Sequence, residues 1–250
     1  VAWQERGPGG APAQATCRYA EGKLTGGKAW VVGAAGSQGF LVVAEGDDGP
    51  VLVLAEVGAA GLVTNTRAQA DGSSLGELSF SATPAEELAS GAAVRNALAE
   101  AVADATALAA AELVGLCQRA FEITLDYIKT REQFDKPIGS FQVIQHRAVD
   151  LNVMCEVAQA GVREVLARMD GETDANTRSR LASRAKARAV TAARKVTRDA
   201  IQLHGAVGYT DEFDIGLYMN RALVLSAWLG DDAYHRRAWF DAREEEGAAQ

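Results

Sequence analysis

Apolar residues alternate every second position through short runs in the first third of the chain, then recur every three to four from about Ala93. Between about residues 12 and 85, the runs ATCRY, AWVVGA, GFLVVAE, PVLVLAEV, GLVTNT and GELSFS are rich in β-branched and aromatic residues. Gly, Asp and Pro punctuate them, as they do between strands. AEGKLTGGKAW reads as two strands joined by a glycine turn. Short strands at this spacing predict a small antiparallel barrel or sandwich.

The second pattern is helical. Leu113, Leu116, Ala120, Ile123 and Tyr127 form one apolar stripe, and a second runs from Phe141 through Ile144, Ala148, Leu151, Cys155, Ala158 and Val162 to Val165. A stripe of that length suits a long antiparallel bundle helix or an oligomer seam. DGETD (170–174) interrupts it, with Gly171 expected as a C-cap and Asp174 as an N-cap. A third helix is expected over 175–203, stopped by Gly205, and two more from Asp214 to Leu229 and from Asp231 to about Glu246. The expected fold is α+β: an antiparallel, barrel-like β-domain over 1–92, then a C-terminal four-helix bundle over 93–250.

Composition narrows the classes. The 250 residues are 48% apolar and 23% charged, with a net charge of 25 − 33 = −8. That balance argues against nucleic acid or an anionic membrane as partner. Arg178, Arg180, Arg184, Lys186, Arg188, Arg194, Lys195 and Arg198 surround the third helix rather than lining one face, which points to a solvated or salt-bridged helix. Cys17, Cys117 and Cys155 show no CxxC spacing, so free thiols in a reducing compartment are expected rather than disulfides or zinc. No apolar run reaches the roughly 20 residues of a membrane helix, and a cytoplasmic location is the default expectation. The chain begins at Val1 without an initiator methionine, so its native N-terminus is expected upstream.

Two corners carry the chemistry. YIKTREQFDKPIGSFQVIQH (127–146) sets an arginine, an aromatic and a glutamine around a tight turn between helices, and QLHGAVGYTDEFD (202–214) is a polar, glycine-rich helix end. The joint spacing of Arg131, Phe134, Pro137, Gly139 and Gln142 is specific, although an isolated Arg131 would read as a C-terminal cation on a helix dipole. With these corners the chain resembles the middle β-domain and C-terminal bundle of the acyl-CoA dehydrogenases, flavoenzymes that desaturate acyl-CoA thioesters. The resemblance covers essentially the whole chain and is strongest over 110–215; the family's N-terminal helical domain is not represented.

The resemblance implies FAD held between subunits. The flavin ring would lean on one protomer's β-domain, while the neighbour's bundle grips the adenine half. Arg131 would pair with the pyrophosphate, Phe134 would pack on the cofactor and Gln142 would meet the adenine end. Gln202 and the backbone at Gly205 would close over the pyrophosphate, with Ala206 standing where the family prefers a second glycine. On the β-domain side, WQERGPGGAP (3–12) keeps Glu5 and glycines but not the family's serine and aspartate, and KAWVVGAAG keeps Trp30 but offers Val32 where a hydroxyl is usual. His204 reads as a backbone-bonded residue or a contact of the flavin loop.

The resemblance also exposes a gap. Removing an α-proton needs a carboxylate of raised pKa, and the family's usual glutamate position is Leu229. Asp231 reads as the N-cap of the last helix. An alternative family position, thirteen residues before Gln118, is Ala105, next to Asp104; Asp104 and, less favourably, Glu112 are the remaining carboxylates. Three readings follow. The chain is a non-catalytic subunit that completes a homologous partner's FAD site in an α2β2 hetero-oligomer, resembling the actinobacterial dehydrogenases of steroid side-chain CoA esters. Or it is a homo-oligomeric dehydrogenase with a displaced base, or a flavin-free assembly protein.

Overall fold

In the computed structural model, residues 1–5 and 16–248 are described, with side chains to Asp241. The period-two runs become seven strands of one sheet: β1 (Arg18–Ala20), β2 (Lys23–Val32), β3 (Gly39–Gly46), β4 (Gly49–Glu56), β5 (Leu62–Ala68), β6 (Ser74–Pro84) and β7 (Glu86–Ser90). Their order is β5-β6-β2-β1-β3-β4-β7. Every neighbouring pair is antiparallel except β1 and β3, which meet in parallel at Arg18 and Glu45. The exception is geometric, because the short β1 lies between two strands of opposite direction and can oppose only one of them.

Alternation sets the buried face. Along β4, Val51, Val53 and Ala55 are buried while Leu52, Leu54 and Glu56 are not. These residues join Leu24, Val31, Phe40, Val42, Leu78 and Phe80 in the β core. The β1–β2 turn falls at Glu21 and Gly22, both at positive φ, whereas Gly26 and Gly27 stay within β2. A Cβ at Gly26 would come within 2.8 Å of the Cys17 backbone. β7 (EELAS) lies outside the run of strands read from the pattern, because its composition favours no strand; it survives as an edge paired to β4.

The period-3.6 stripes become α1 (Ala92–Thr130), α2 (Gln142–Met169), α3 (Ala175–His204), α4 (Ile215–Ala227) and α5 (Asp232–Ala248). A small hairpin, β8 (Glu132–Gln133) and β9 (Lys136–Pro137), follows α1; short 3-10 turns at Ile138–Ser140 and Gly205–Tyr209 precede α2 and follow α3. Backbone contacts divide the chain into two units, Val1–Ala99 and Glu100–Gln250. In the helical unit, α2 buries Ala148, Leu151, Cys155, Ala158, Val162, Val165 and Met169, which continues the stripe seen in the sequence.

One expectation needs correction. Gly171 is not the C-cap of α2: Asp170 is, in right-handed conformation at φ −58. Arg178 takes over the capping task, its guanidinium donating to the carbonyls of Met169 (2.6 Å) and Glu172 (2.9 Å), so no left-handed glycine is needed. Asp174 does cap α3, accepting from the Thr177 N–H at 2.7 Å. Of the two readings of α3, solvated or salt-bridged, the structure favours the second: 16 of its 30 residues are buried, Lys186 among them. Several of its other cations pair with carboxylates: Arg184 with Glu164, Arg194 with Asp232, and Lys195 with Asp199 one turn on in α3 itself.

The three cysteines are free and buried. Burial pushes the thiols of Cys17 and Cys155 up to about 11 and that of Cys117 up to about 12. Among the described residues, no helix is long and apolar enough to cross a membrane, and no group of three His, Cys, Asp or Glu side chains could hold a metal ion.

Candidate functional site

The first corner is built by the end of α1. The Arg131 N–H closes the helix on the Tyr127 carbonyl at 2.8 Å, and the Ile138 N–H returns to the Arg131 carbonyl at 2.8 Å. Between them Phe134 (φ 55) and Asp135 (φ 62) turn the β8–β9 hairpin, both left-handed, as the twist of a two-residue hairpin demands. For non-glycine residues this costs about 1 kcal/mol each. Phe134 projects 84% exposed, edge-on to Phe141 at 6.1 Å, and the Lys136 ammonium lies 4.3 Å over the Phe141 ring. Gly139 permits the close return, since a Cβ there would meet the Ile128 carbonyl at 2.8 Å. Arg131 and Gln142 are exposed, and among the described residues the Arg131 guanidinium has no acceptor.

The second corner ends α3. Gly205, at φ 69, donates its N–H to the carbonyls of Gln202 and Ile201, with open space where a Cβ would stand. Gln202, Gly205 and Ala206 are exposed. The glycine that packing requires is Gly208, where a Cβ would come 2.9 Å from the Ile201 carbonyl. His204 is buried, and its Nδ1–H donates to the Ala200 carbonyl at 2.8 Å. Burial holds this imidazole below the usual histidine range.

The corners are brought together by a residue read from the sequence only as part of a stripe. The Tyr127 hydroxyl donates to the His204 carbonyl at 3.1 Å, and the two rings stack with centroids 4.3 Å apart. Phe213 closes this group, 4.7 Å from the His204 ring and 5.7 Å from Tyr127. An exposed, unpaired guanidinium, two exposed carboxamides, a glycine without overlying side chain and an exposed aromatic ring thus share one end of the helical unit. This donor set fits a phosphorylated ligand that carries a planar group.

The third place of interest is the turn after α4. Leu229 is buried at φ 62 and Gly230 follows at φ 109. Beneath them the buried Lys186 ammonium donates to the carbonyls of Trp228 (2.5 Å) and Gly230 (3.4 Å), and burial pushes its pKa down to about 8. His235 lies beside it, its Nδ1 3.1 Å from the Ser183 hydroxyl. Burial and then the nearby Lys186 charge push His235 down to about 4. Asp231 caps α5 by accepting from the Tyr234 N–H at 2.8 Å. Of the α1 carboxylates, Asp104 is ion-paired with Arg178 and Glu112 with Arg221 at 2.7 Å, while Ala105 has nothing to titrate.

In the β unit, Trp30 is left-handed (φ 59), 49% exposed and placed at the register shift between Lys28 and Val31; Val32 is exposed beyond it. Glu5 is engaged. It accepts from the buried Lys28 ammonium (2.5 Å), from the N–H groups of Thr16 (2.7 Å) and Cys17 (3.0 Å), and from the Thr16 hydroxyl. Burial would raise its pKa, but these donors outweigh it and hold it down to about 2. The rest of the loop noted from the sequence, residues 6–12, lies outside the described residues.

Residues 96–241 match the family described as "Acyl-CoA dehydrogenase, C-terminal domain". The chain is 39% identical over 132 residues to Acyl-CoA dehydrogenase IpdE2 of Mycolicibacterium smegmatis, covering 52% of this chain and 40% of that protein. It is 36% identical over 177 residues to 3-sulfinopropanoyl-CoA desulfinase of Paraburkholderia xenovorans, covering 70% of this chain and 43% of that one. Among solved structures, a variant of the Tcur3481-Tcur3483 steroid ACAD superposes on 100% of this chain and 67% of its own, with TM-score 0.84 and 31% identity. The acyl-CoA dehydrogenase from Geobacillus kaustophilus shares the fold at TM-score 0.87 and 19% identity, over 96% of this chain and 67% of its own. The present chain thus spans under half the length of these two curated relatives.

Proposed function

Because the chain belongs to the acyl-CoA dehydrogenase family, we propose that it is a subunit of an FAD-dependent enzyme that desaturates an acyl-CoA thioester between Cα and Cβ. In this reading it lacks its own catalytic base and completes the FAD site of a homologous partner in an α2β2 assembly. The observation that carries the reading is a contrast within the helical unit. Leu229 is an apolar, buried residue where the family's carboxylate belongs, whereas among the described residues the Arg131 and Gln202 side chains stand exposed and uncommitted. One of the relatives is named for desulfination, so the fold leaves the reaction open and the site has to decide it.

The division of labour follows from the side chains. Bound FAD supplies the hydride acceptor. Arg131 would hold the pyrophosphate with its guanidinium, and Gln202 would add a neutral donor from the second corner. Gly205 and Ala206 keep the corner low enough for an anion to approach. Phe134 would pack on the cofactor and Gln142 would meet its adenine end. The α-proton is taken by the partner's carboxylate. Asp104 does not replace it, since withdrawing it from Arg178 would also strip Arg178 of its counter-charge. Glu112 is similarly occupied by Arg221. The likeness to a steroid ACAD favours a steroid side-chain CoA ester as substrate.

Expression of the chain alone and with a homologous subunit tests this. Yellow protein that bleaches with an acyl-CoA only when both chains are present is the expected result. Yellow, active protein from this chain alone would establish a displaced base, and colourless preparations in both cases would establish a flavin-free role.

A further inference from the structure

Tyr127 holds both corners, and its two bonds come from different parts of the residue. Its backbone carbonyl accepts the Arg131 N–H at 2.8 Å, which fixes where α1 stops and the arginine leaves the helix. Its phenol donates to the His204 carbonyl at 3.1 Å, one residue before Gly205. The ring stack holds the orientation, with Tyr127 and His204 only 24° from parallel and Phe213 against both. His204 is fixed from its other side, because its Nδ1–H is given to the Ala200 carbonyl one turn back in α3. That bond leaves Nε2 as the bare nitrogen, and it is buried without a partner. A histidine that leaves an acceptor unsatisfied gives up stability that an apolar ring would keep. Its shape and its Nδ1–H are therefore what the site retains.

We infer that Tyr127 and His204 are positioning residues: they set the separation between the Arg131 guanidinium and the Gln202 carboxamide at the second corner so that both address one pyrophosphate. This rests on the FAD-site reading above. The cost of a misplaced donor is steep, because a charge-assisted bond holds only over a few tenths of an ångström. Tyr127→Phe keeps the ring stack and removes only the hydroxyl bond. His204→Phe keeps an aromatic ring there and removes the Nδ1–H.

The test is flavin retention by the assembled two-subunit complex, followed by fluorescence of released FAD. Arg131→Ala, Tyr127→Phe and the double variant are compared. Tyr127→Phe is expected to weaken retention roughly five- to tenfold, the worth of one hydrogen bond, and to add little once Arg131 is already alanine. Conversely, additive losses in the double variant, or unchanged retention in Tyr127→Phe beside a clear loss in Arg131→Ala, would overturn the inference while leaving the FAD reading intact. Unchanged retention in Arg131→Ala would sink the FAD reading itself and the inference with it. Hydrogen exchange on the chain alone gives a measure independent of the partner. In Tyr127→Phe the amides of Arg131 and of Gly205–Gly208 should quicken together while mid-helix amides of α1 and α3 stay protected. Quickening at one corner only, or at neither, refutes the brace.

Discussion

Lys186 keeps an ammonium where there is almost no water, and Trp228 and Gly230 give it carbonyls instead of a carboxylate. Lys186→Met would remove the buried charge yet leave those carbonyls without their donor. We expect a net loss of about 1–3 kcal/mol, read as a lower urea midpoint with an unchanged slope. The neighbouring His235 makes a second, pH-dependent contribution. Its folded pKa, about 4, lies below the ordinary 6.5, so the unfolded chain takes up the proton first as pH falls. The stability due to its neutral form is present above pH 6.5 and lost on the way down to pH 4. About 3 kcal/mol is at stake, and His235→Gln should flatten the urea midpoint across that interval. If the variant and the parent lose stability in parallel there, another group is responsible. Lys186 was visible in the sequence only as one of eight cations on a helix, and nothing local marked it as the buried one.

At the level of elements, the β8–β9 hairpin and the α2–α3 turn are where small changes show. Asp135 sits at φ 62 without a glycine's freedom, so Asp135→Gly should raise stability by up to about 1 kcal/mol, seen as a higher midpoint in denaturant. Asp104→Asn should lower stability by about 1–3 kcal/mol through its partner Arg178, whose guanidinium also caps the end of α2. Activity of the assembled enzyme should survive this change per folded molecule; a collapse of turnover with normal folding would make Asp104 a base after all. The stripe on α2 and the Asp174 and Asp231 caps were legible because each depends on neighbours within a turn or two. The parallel meeting of β1 with β3 was not, since it depends on where a later strand returns. The Tyr127–His204 contact joins residues 77 apart, and no periodicity announces such a pair. Both corners could therefore be read from local spacing, but their adjacency could not.

On the scale of the whole molecule, the proposed division of labour places the loss of chemistry in one side chain and the gain of a ligand in another subunit. Replacing the partner's glutamate by glutamine should abolish thioester-dependent bleaching while the complex stays yellow. Arg131→Ala in this chain should instead lower the flavin content of the complex. Each thiol is also a witness placed in its own unit, Cys17 among the strands and Cys117 with Cys155 among the helices, sealed from solvent and held as the unreactive protonated form. Alkylating reagents can reach them only when the surrounding unit opens, so the chain carries a separate clock for each half. Peptide-resolved labelling over time would then reveal whether strands and helices come apart in a single event or in succession.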